Sequence, residues 1–233
     1  MKILAIDTSS LAASCALLED ERPVGIFYID AKLTHSQTIM PMVENTLSAC
    51  QQTLQDVELF VVSNGPGSFT GLRIGTATVK GMAHALKKPC IGISTLEGLA
   101  YNMVGHSGIV CAVMDARCNQ VYTALFDLDN NMSRITEDMA IPLDELHEIL
   151  KKQEKNVVLV GDGAGLCYNS IMGQDGFSHV KIAPAHQRMQ NAYSVGLAAL
   201  HSHLQEAASA EELMPTYLRL PQAQRELMKK QQI

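Results

Sequence analysis

The chain has 233 residues, 47% of them hydrophobic and 18% charged, with a formal net charge of −6. That length admits one large domain or two of moderate size, with apolar residues enough for an ample core. The acidic balance argues against a chain that grips a nucleic-acid backbone by itself, no apolar run reaches membrane-span length, and the N-terminus enters a strand without the layout of a signal peptide.

Cys15, Cys50, Cys90, Cys111, Cys118 and Cys167 form no C-x-x-C pair and mostly fall within predicted strands or helices. They read as reduced thiols of a cytoplasmic protein. Lys2 to Ile6 is an apolar strand ending in Asp7-Thr8-Ser9-Ser10, and Ala12 to Leu18 and Val24 to Ile29 follow as strands across the turn residues Glu19 to Pro23. Thr34-His35-Ser36-Gln37 has the form of a capping box. Ile39, Val43, Leu47, Cys50 and Leu54 then recur at steps of three and four, which predicts a helix over 36–54. Beside that core stripe runs a soft one of Met42, Thr46, Ala49 and Thr53, and the helix carries a single charge at Glu44. Pro41 marks a kink or the true first turn.

The apolar strand Leu59 to Val62 leads into the run Ser63-Asn64-Gly65-Pro66-Gly67-Ser68-Phe69-Thr70-Gly71-Leu72-Arg73-Ile74-Gly75. A phosphate loop would sit here, but the lysine and hydroxyl that follow the second glycine of such a loop are replaced by Leu72 and Arg73. The helix from Thr70 to Lys88 places Arg73, Lys80, His84 and Lys87 on one narrow stripe, and small or apolar side chains fill the rest of its circumference. Such a helix is either buried in a core or covered by another chain. Its glycines lower helix stability by roughly 1 kcal/mol each relative to alanine, which calls for a close backbone approach.

Cys90 to Ile93 is the next strand and Thr95 to Met103 a short helix. The scheme then restarts. Gly108 to Met114 ends in Asp115-Ala116-Arg117, and Gln120 to Leu128 and Met139 to Ile141 complete a second triple. Helix Leu143 to Lys152, strand Val157 to Val160 with its turn Gly161 to Gly165, strand Val180 to Ile182 and helix Ala192 to Ala207 follow. The tail Arg225 to Lys230 is locally basic. Two βββαβα units, over 1–105 and 106–233, predict an α/β fold of the duplicated ribonuclease-H-like, actin-like (ASKHA) class. In that class a nucleotide's phosphates meet the hairpin turns after each first strand. Asp7, Thr8, Ser9, Ser10 and Asp115 stand at those turns, but neither turn has the glycine that lets its backbone approach a phosphate. The hydroxyls serve equally well as local turn formers.

The opening Ile6-Asp7-Thr8-Ser9, the Thr34-His-Ser-Gln37, the run Asn64 to Gly75, Asp115-Ala-Arg117 and Pro215-Thr-Tyr-Leu-Arg219 together resemble the TsaB family, formerly YeaZ. The likeness extends from the first strand to Arg219, and the glycine-rich run is its most specific part. It implies a non-catalytic partner of TsaD, working with the ATPase TsaE to make N6-threonylcarbamoyladenosine in tRNAs reading codons that begin with adenine. It also implies that the leading helices of the two paralogues pack as a bundle. On that reading the partner interface comprises His35, Met42, Thr46, Ala49 and Thr53 of the first helix, with Gly71, Leu72, Gly75, Thr78 and Met82 of the second. Isolated protein is expected to form a homodimer through the same helices, and tRNA to meet the complex rather than this chain alone. A large charged residue at Gly75 or Ala49 is expected to block association and leave the fold intact.

The histidines show no ligand spacing. TsaD resembles an enzyme with an H-x-x-x-H motif, whereas here Ile39 stands four residues after His35, which leaves one imidazole better suited to capping or a buried hydrogen bond than to a metal. No metal, cofactor or catalytic set is nominated. Two alternatives stay open: an independent actin-like transferase holding magnesium between Asp7 and Asp115, and a metal-dependent peptidase.

Overall fold

The computed structural model describes residues 1–220; the basic stretch Arg225 to Lys230 lies outside them. Two sheets carry the fold. The first has the order β3-β2-β1-β4-β5, from β1 (Lys2–Asp7), β2 (Ala13–Glu19), β3 (Arg22–Ile29), β4 (Leu59–Gly65) and β5 (Cys90–Ser94). The second repeats that plan as β11-β10-β6-β7, from β6 (Ile109–Asp115), β7 (Gln120–Asp127), β10 (Val157–Val160) and β11 (Val180–Ile182). On the outer edge of β7 lie the two-residue β8 (Ser133–Arg134) and β9 (Met139–Pro142). β1 and β6 hold equivalent places, each antiparallel to its hairpin partner and parallel to β4 or β10.

β1 is apolar from Ile3 to Ile6 because helices cover both its faces. Leu4 and Ile6 pack with Phe60 and Val62 against α1 (His35–Ala49) and α2 (Phe69–Leu86) on the outside. Ile3 and Ala5 face inward, onto Val195 and Ala198 of α7 (Ala192–Ala198). The second sheet is covered outside by α4 (Leu143–Lys151) and α5 (Ala164–Ile171). A four-residue α6 (Ala185–Arg188) precedes α7. The two inner helices are exchanged: α3 (Thr95–Ala100), which closes the first half, packs on β6 and β7, whereas α7 from the second half packs on β1 and β2. The halves therefore meet through α3 and α7.

Several element ends differ from the sequence reading. The Thr34 side chain makes no cap bond, and the turn closes instead through the backbone bond from Gln37 N to Thr34 O. α1 stops at Ala49 rather than running to Leu54, because Gln51 takes left-handed backbone at φ 55° and Thr53 and Asp56 form a capping box around a new turn. α5 follows Gly161 to Gly163, where the sequence signalled only a turn. The last helix leaves α geometry at Ala199 and continues as a π turn to His203 and a 3₁₀ turn to Glu206.

That π turn delivers His203 to a charge cluster. His203 Nε2 lies 2.8 Å from Glu97 Oε1 and its Nδ1 2.9 Å from Glu206 Oε1. Arg134 donates to Glu97 at 3.2 Å and to Asp138 at 2.6 Å. The Glu97 bond, helped by Glu206, outweighs burial and pushes His203 up to about 9. Burial raises Glu97, but His203 and Arg134 outweigh it and leave the carboxyl below its ordinary value. A raised histidine stabilises the fold fully below its unfolded pKa of 6.5 and loses that contribution as pH climbs through about 9. Thermal unfolding across this alkaline window should therefore show a falling midpoint in the natural protein. His203→Gln should be less stable at about pH 6 and show a flatter profile; equal slopes would mean that the cluster is not coupled to folding.

Candidate docking face and interlobe cleft

α2 starts at Phe69 with Ser68 Oγ accepting from Gly71 N at 3.3 Å, and ends where Lys87 turns left-handed at φ 54°. At about 100° per residue its side chains divide into three arcs. Leu72, Gly75, Thr76, Val79, Met82 and Ala83 are buried against the first sheet and α1. On the far side Ala77, Gly81 and Ala85 are exposed, with Ile74 and Thr78 half-buried beside them. Between these arcs, Arg73, Lys80 and His84 hold the C-terminal segment of the chain.

This phase corrects the residue assignment on the two helices. Met42 is 1% exposed and Met82 7%, and Thr46, Gly71, Leu72 and Gly75 are likewise enclosed by the chain itself. Half of the soft stripe of α1 faces inward, where Met42 and Thr46 complete the layer over β2 and β3. The small residues of α2 serve an internal approach: a Cβ on Gly71 would overlap Thr8 O, and one on Gly75 would overlap Thr8 Oγ1. A bulky Gly75 variant therefore breaks the fold before it tests any interface. Ala49 and Thr53 are exposed, Thr78 and His35 half-buried. Thr53 is engaged in its own capping box with Asp56. His35 Nε2 sits 2.8 Å from Ser10 O.

What the two helices do present is an open apolar groove. Met40 and Leu54 form one wall, Ala77, Gly81 and Ala85 the other, and the edge of Met82 lines the floor. The groove holds a volume of about 640 Å³. A Cβ on Gly81 meets nothing within 4 Å. Periodicity showed the composition of this face but not its phase, and the run Ala77, Gly81, Ala85 at steps of four was left unassigned.

The second feature is a cleft of about 310 Å³ between the halves. Ser9, Ser10 and Phe69 line it from the first half, Asp115, Tyr122 and Asp162 from the second, and Tyr217 and Arg219 lie at its mouth. Asp7 and Thr8 are not in its wall. The Asp7 carboxylate is buried, with Oδ1 accepting from Ser9 N at 2.8 Å and Ser9 Oγ at 2.7 Å, and Oδ2 accepting from Ser63 Oγ. The Thr8 hydroxyl donates to Gly71 O at 2.8 Å, and Ser68 N donates to Ser9 O at 2.7 Å. The start of α2 thus fills the turn from within. Of the hairpin-turn residues, Ser9, Ser10 and Asp115 reach the cleft. Asp115 accepts from Arg117 N at 2.7 Å and donates its own N–H to Asp162 at 3.2 Å.

Asp162 is the cleft residue that sequence reasoning passed over as part of a glycine turn. Burial pushes its carboxyl up to about 6; the Asp115 N–H works against this and the Asp115 charge adds to it. The buried Gln190 amide beside it also works against the rise. Among the described residues, no group of three or more histidine, cysteine and acidic side chains could hold a metal ion, and no helix is long and apolar enough to cross a membrane.

Over residues 16–227 the chain matches the family described as TsaD, tRNA N6-adenosine threonylcarbamoyltransferase. It is 35% identical over 228 residues to the tRNA threonylcarbamoyladenosine biosynthesis protein TsaB of Bacillus subtilis, with 96% of each chain covered. YeaZ from Pseudomonas aeruginosa superposes with a TM-score of 0.74 at 27% identity, covering 93% of this chain and 99% of that one. Component A of the Acidaminococcus fermentans (R)-2-hydroxyglutaryl-CoA dehydratase gives a TM-score of 0.52 at 13% identity, over 88% of this chain and 98% of that one, a likeness of fold alone. The fold is the actin-like α/β class that the repeated element order anticipated.

Proposed function

The chain belongs to the TsaB (YeaZ) group of the family that the TsaD threonylcarbamoyltransferase description covers, and from that premise we propose that it is the non-catalytic partner subunit of TsaD. Participation in tRNA threonylcarbamoyladenosine biosynthesis follows from the family. The subunit role rests on the docking face.

The groove between α1 and α2 carries this reading. Ala77, Gly81 and Ala85 let a partner helix approach closely, and Met40 adapts to its side chains. Docking there holds TsaD in a competent geometry. TsaD binds the threonylcarbamoyl-adenylate and transfers its acyl group to the adenine amino nitrogen, with TsaE as the ATPase of the same assembly and tRNA bound by the complex. No reacting group comes from this chain. In isolation the same face pairs with a second copy, a substitute that TsaD displaces.

The independent-transferase reading fares worse because the Asp7 carboxylate is buried and engaged by Ser9 and Ser63 inside the first half, away from the cleft wall that Asp115 lines.

The test is reconstitution from purified TsaD, this chain, TsaE with ATP, tRNA and an enzymatic source of the adenylate. Modified adenosine should form with both subunits present, and gel filtration should show homodimer giving way to a mixed complex. Full turnover by TsaD alone, or product from this chain alone, would overturn the assignment.

A further inference from the structure

After the 3₁₀ turn the chain returns along one flank of α2 and then crosses the cleft mouth. Ala208 forms an isolated antiparallel bridge with Cys90. Lys80 Nζ donates to Glu211 O at 3.2 Å and Leu213 O at 3.0 Å, and His84 Nδ1 lies 2.9 Å from Glu211 Oε1. Thr216 N donates to Asn64 O at 2.7 Å. The Tyr217 ring lies 4.5 Å from that of Phe69, and Arg73 donates to its hydroxyl at 3.1 Å. At the far end Arg219 donates to Ala116 O in the second half.

We propose that segment 208–220 is a strap that couples the docking face to the interlobe cleft, so that a partner seated on α2 tightens the strap and fixes the cleft closed. This rests on the docking reading above. The strap's anchors stand next to the docking arc, since Lys80 and Ala77 differ by about 60° around the helix, as do His84 and Gly81. Helix axes pack about 8–10 Å apart, so a helix over Ala77 and Gly81 also covers part of the anchor flank. Lys80 and the carbonyls it holds are already paired. Excluding water from them strengthens bonds that water now weakens, and the ammonium keeps its two carbonyl partners. In the free subunit the hold is uneven: Ala210 and Leu213 are buried in the outer core, whereas Met214 is 64% exposed and Tyr217 38%, so the stretch from Met214 onward is the part left to open locally. Arg219 then passes the constraint to the turn between β6 and β7.

Hydrogen exchange on the full chain, with and without TsaD, tests this coupling. Complex formation should slow exchange about tenfold or more over 211–219 and slow the 115–119 turn as well. Lys80→Met keeps the aliphatic stem and loses the ammonium. It should still bind TsaD and protect α2, without slowing the strap. Protection of α2 with unchanged strap exchange in the natural protein would overturn the coupling and leave the docking reading standing. Equal strap slowing in Lys80→Met would overturn it too, since direct cover would then explain the effect. If TsaD protects no part of α2, both readings fall together.

Discussion

Gly81→Arg should leave the subunit folded and remove its association with TsaD. Gly81 is exposed on α2 and open space surrounds its Cβ position. Replacing a helical glycine there gains up to about 1 kcal/mol of helix propensity, so the melting temperature should hold or rise slightly. The guanidinium, however, enters the groove between Met40 and Ala77, where a partner helix would strip its water without offering a counter-charge. A desolvated, unpaired charge opposes binding by about 3–5 kcal/mol, or about 100- to 1000-fold and more in the dissociation constant. Calorimetric titration of TsaD and the yield of modified adenosine should fall together. Binding within about threefold of the natural protein would place the docking face elsewhere.

Gly75→Ala, six residues earlier on the same helix and on its inner face, should instead unfold the protein more readily. A single methyl at this position overlaps Thr8 Oγ1 and approaches Val62, and the hydroxyl it displaces is the one that donates to Gly71 O. Overpacking contributes about 1–3 kcal/mol and a buried, unpaired polar group a similar amount. For a chain of this size the sum corresponds to a fall in melting temperature of roughly 10 °C. Thr8→Ala removes the obstructing atom, so the double variant should lose clearly less stability than the two single losses added, a coupling that unfolding measurements report directly. Strict additivity would show that the loop and the helix do not bear on each other. The contrast between Gly75 and Gly81 separates an internal contact from a docking contact on one helix.

Much of the fold was legible in the residues. The Val-, Ile- and Leu-rich runs and their order gave the strand triples and the repeat, because strand and helix periods are local properties of the chain. The glycine-rich run carried the family resemblance for the same reason. Chain ends were less legible: α1 stopped early because Gln51 went left-handed, and α5 was missed because Gly161-Asp162-Gly163 signals a turn whether or not a helix follows.

The helix faces were where the residues misled. Met42, Thr46, Gly71 and Gly75 and the exposed Ala77, Gly81 and Ala85 are equally soft or small, so composition marks both arcs alike. The direction of each arc depends on the sheet behind it and on Thr8, sixty-odd positions away, which no local pattern contains. Likewise the pairing of Lys80 with Leu213 O and of Arg219 with Ala116 O joins parts of the chain more than a hundred residues apart. The order of elements, the repeat and the family were therefore written in neighbouring residues. Which side of α2 meets a partner, and what lies across the cleft, were decided only when the distant segments packed.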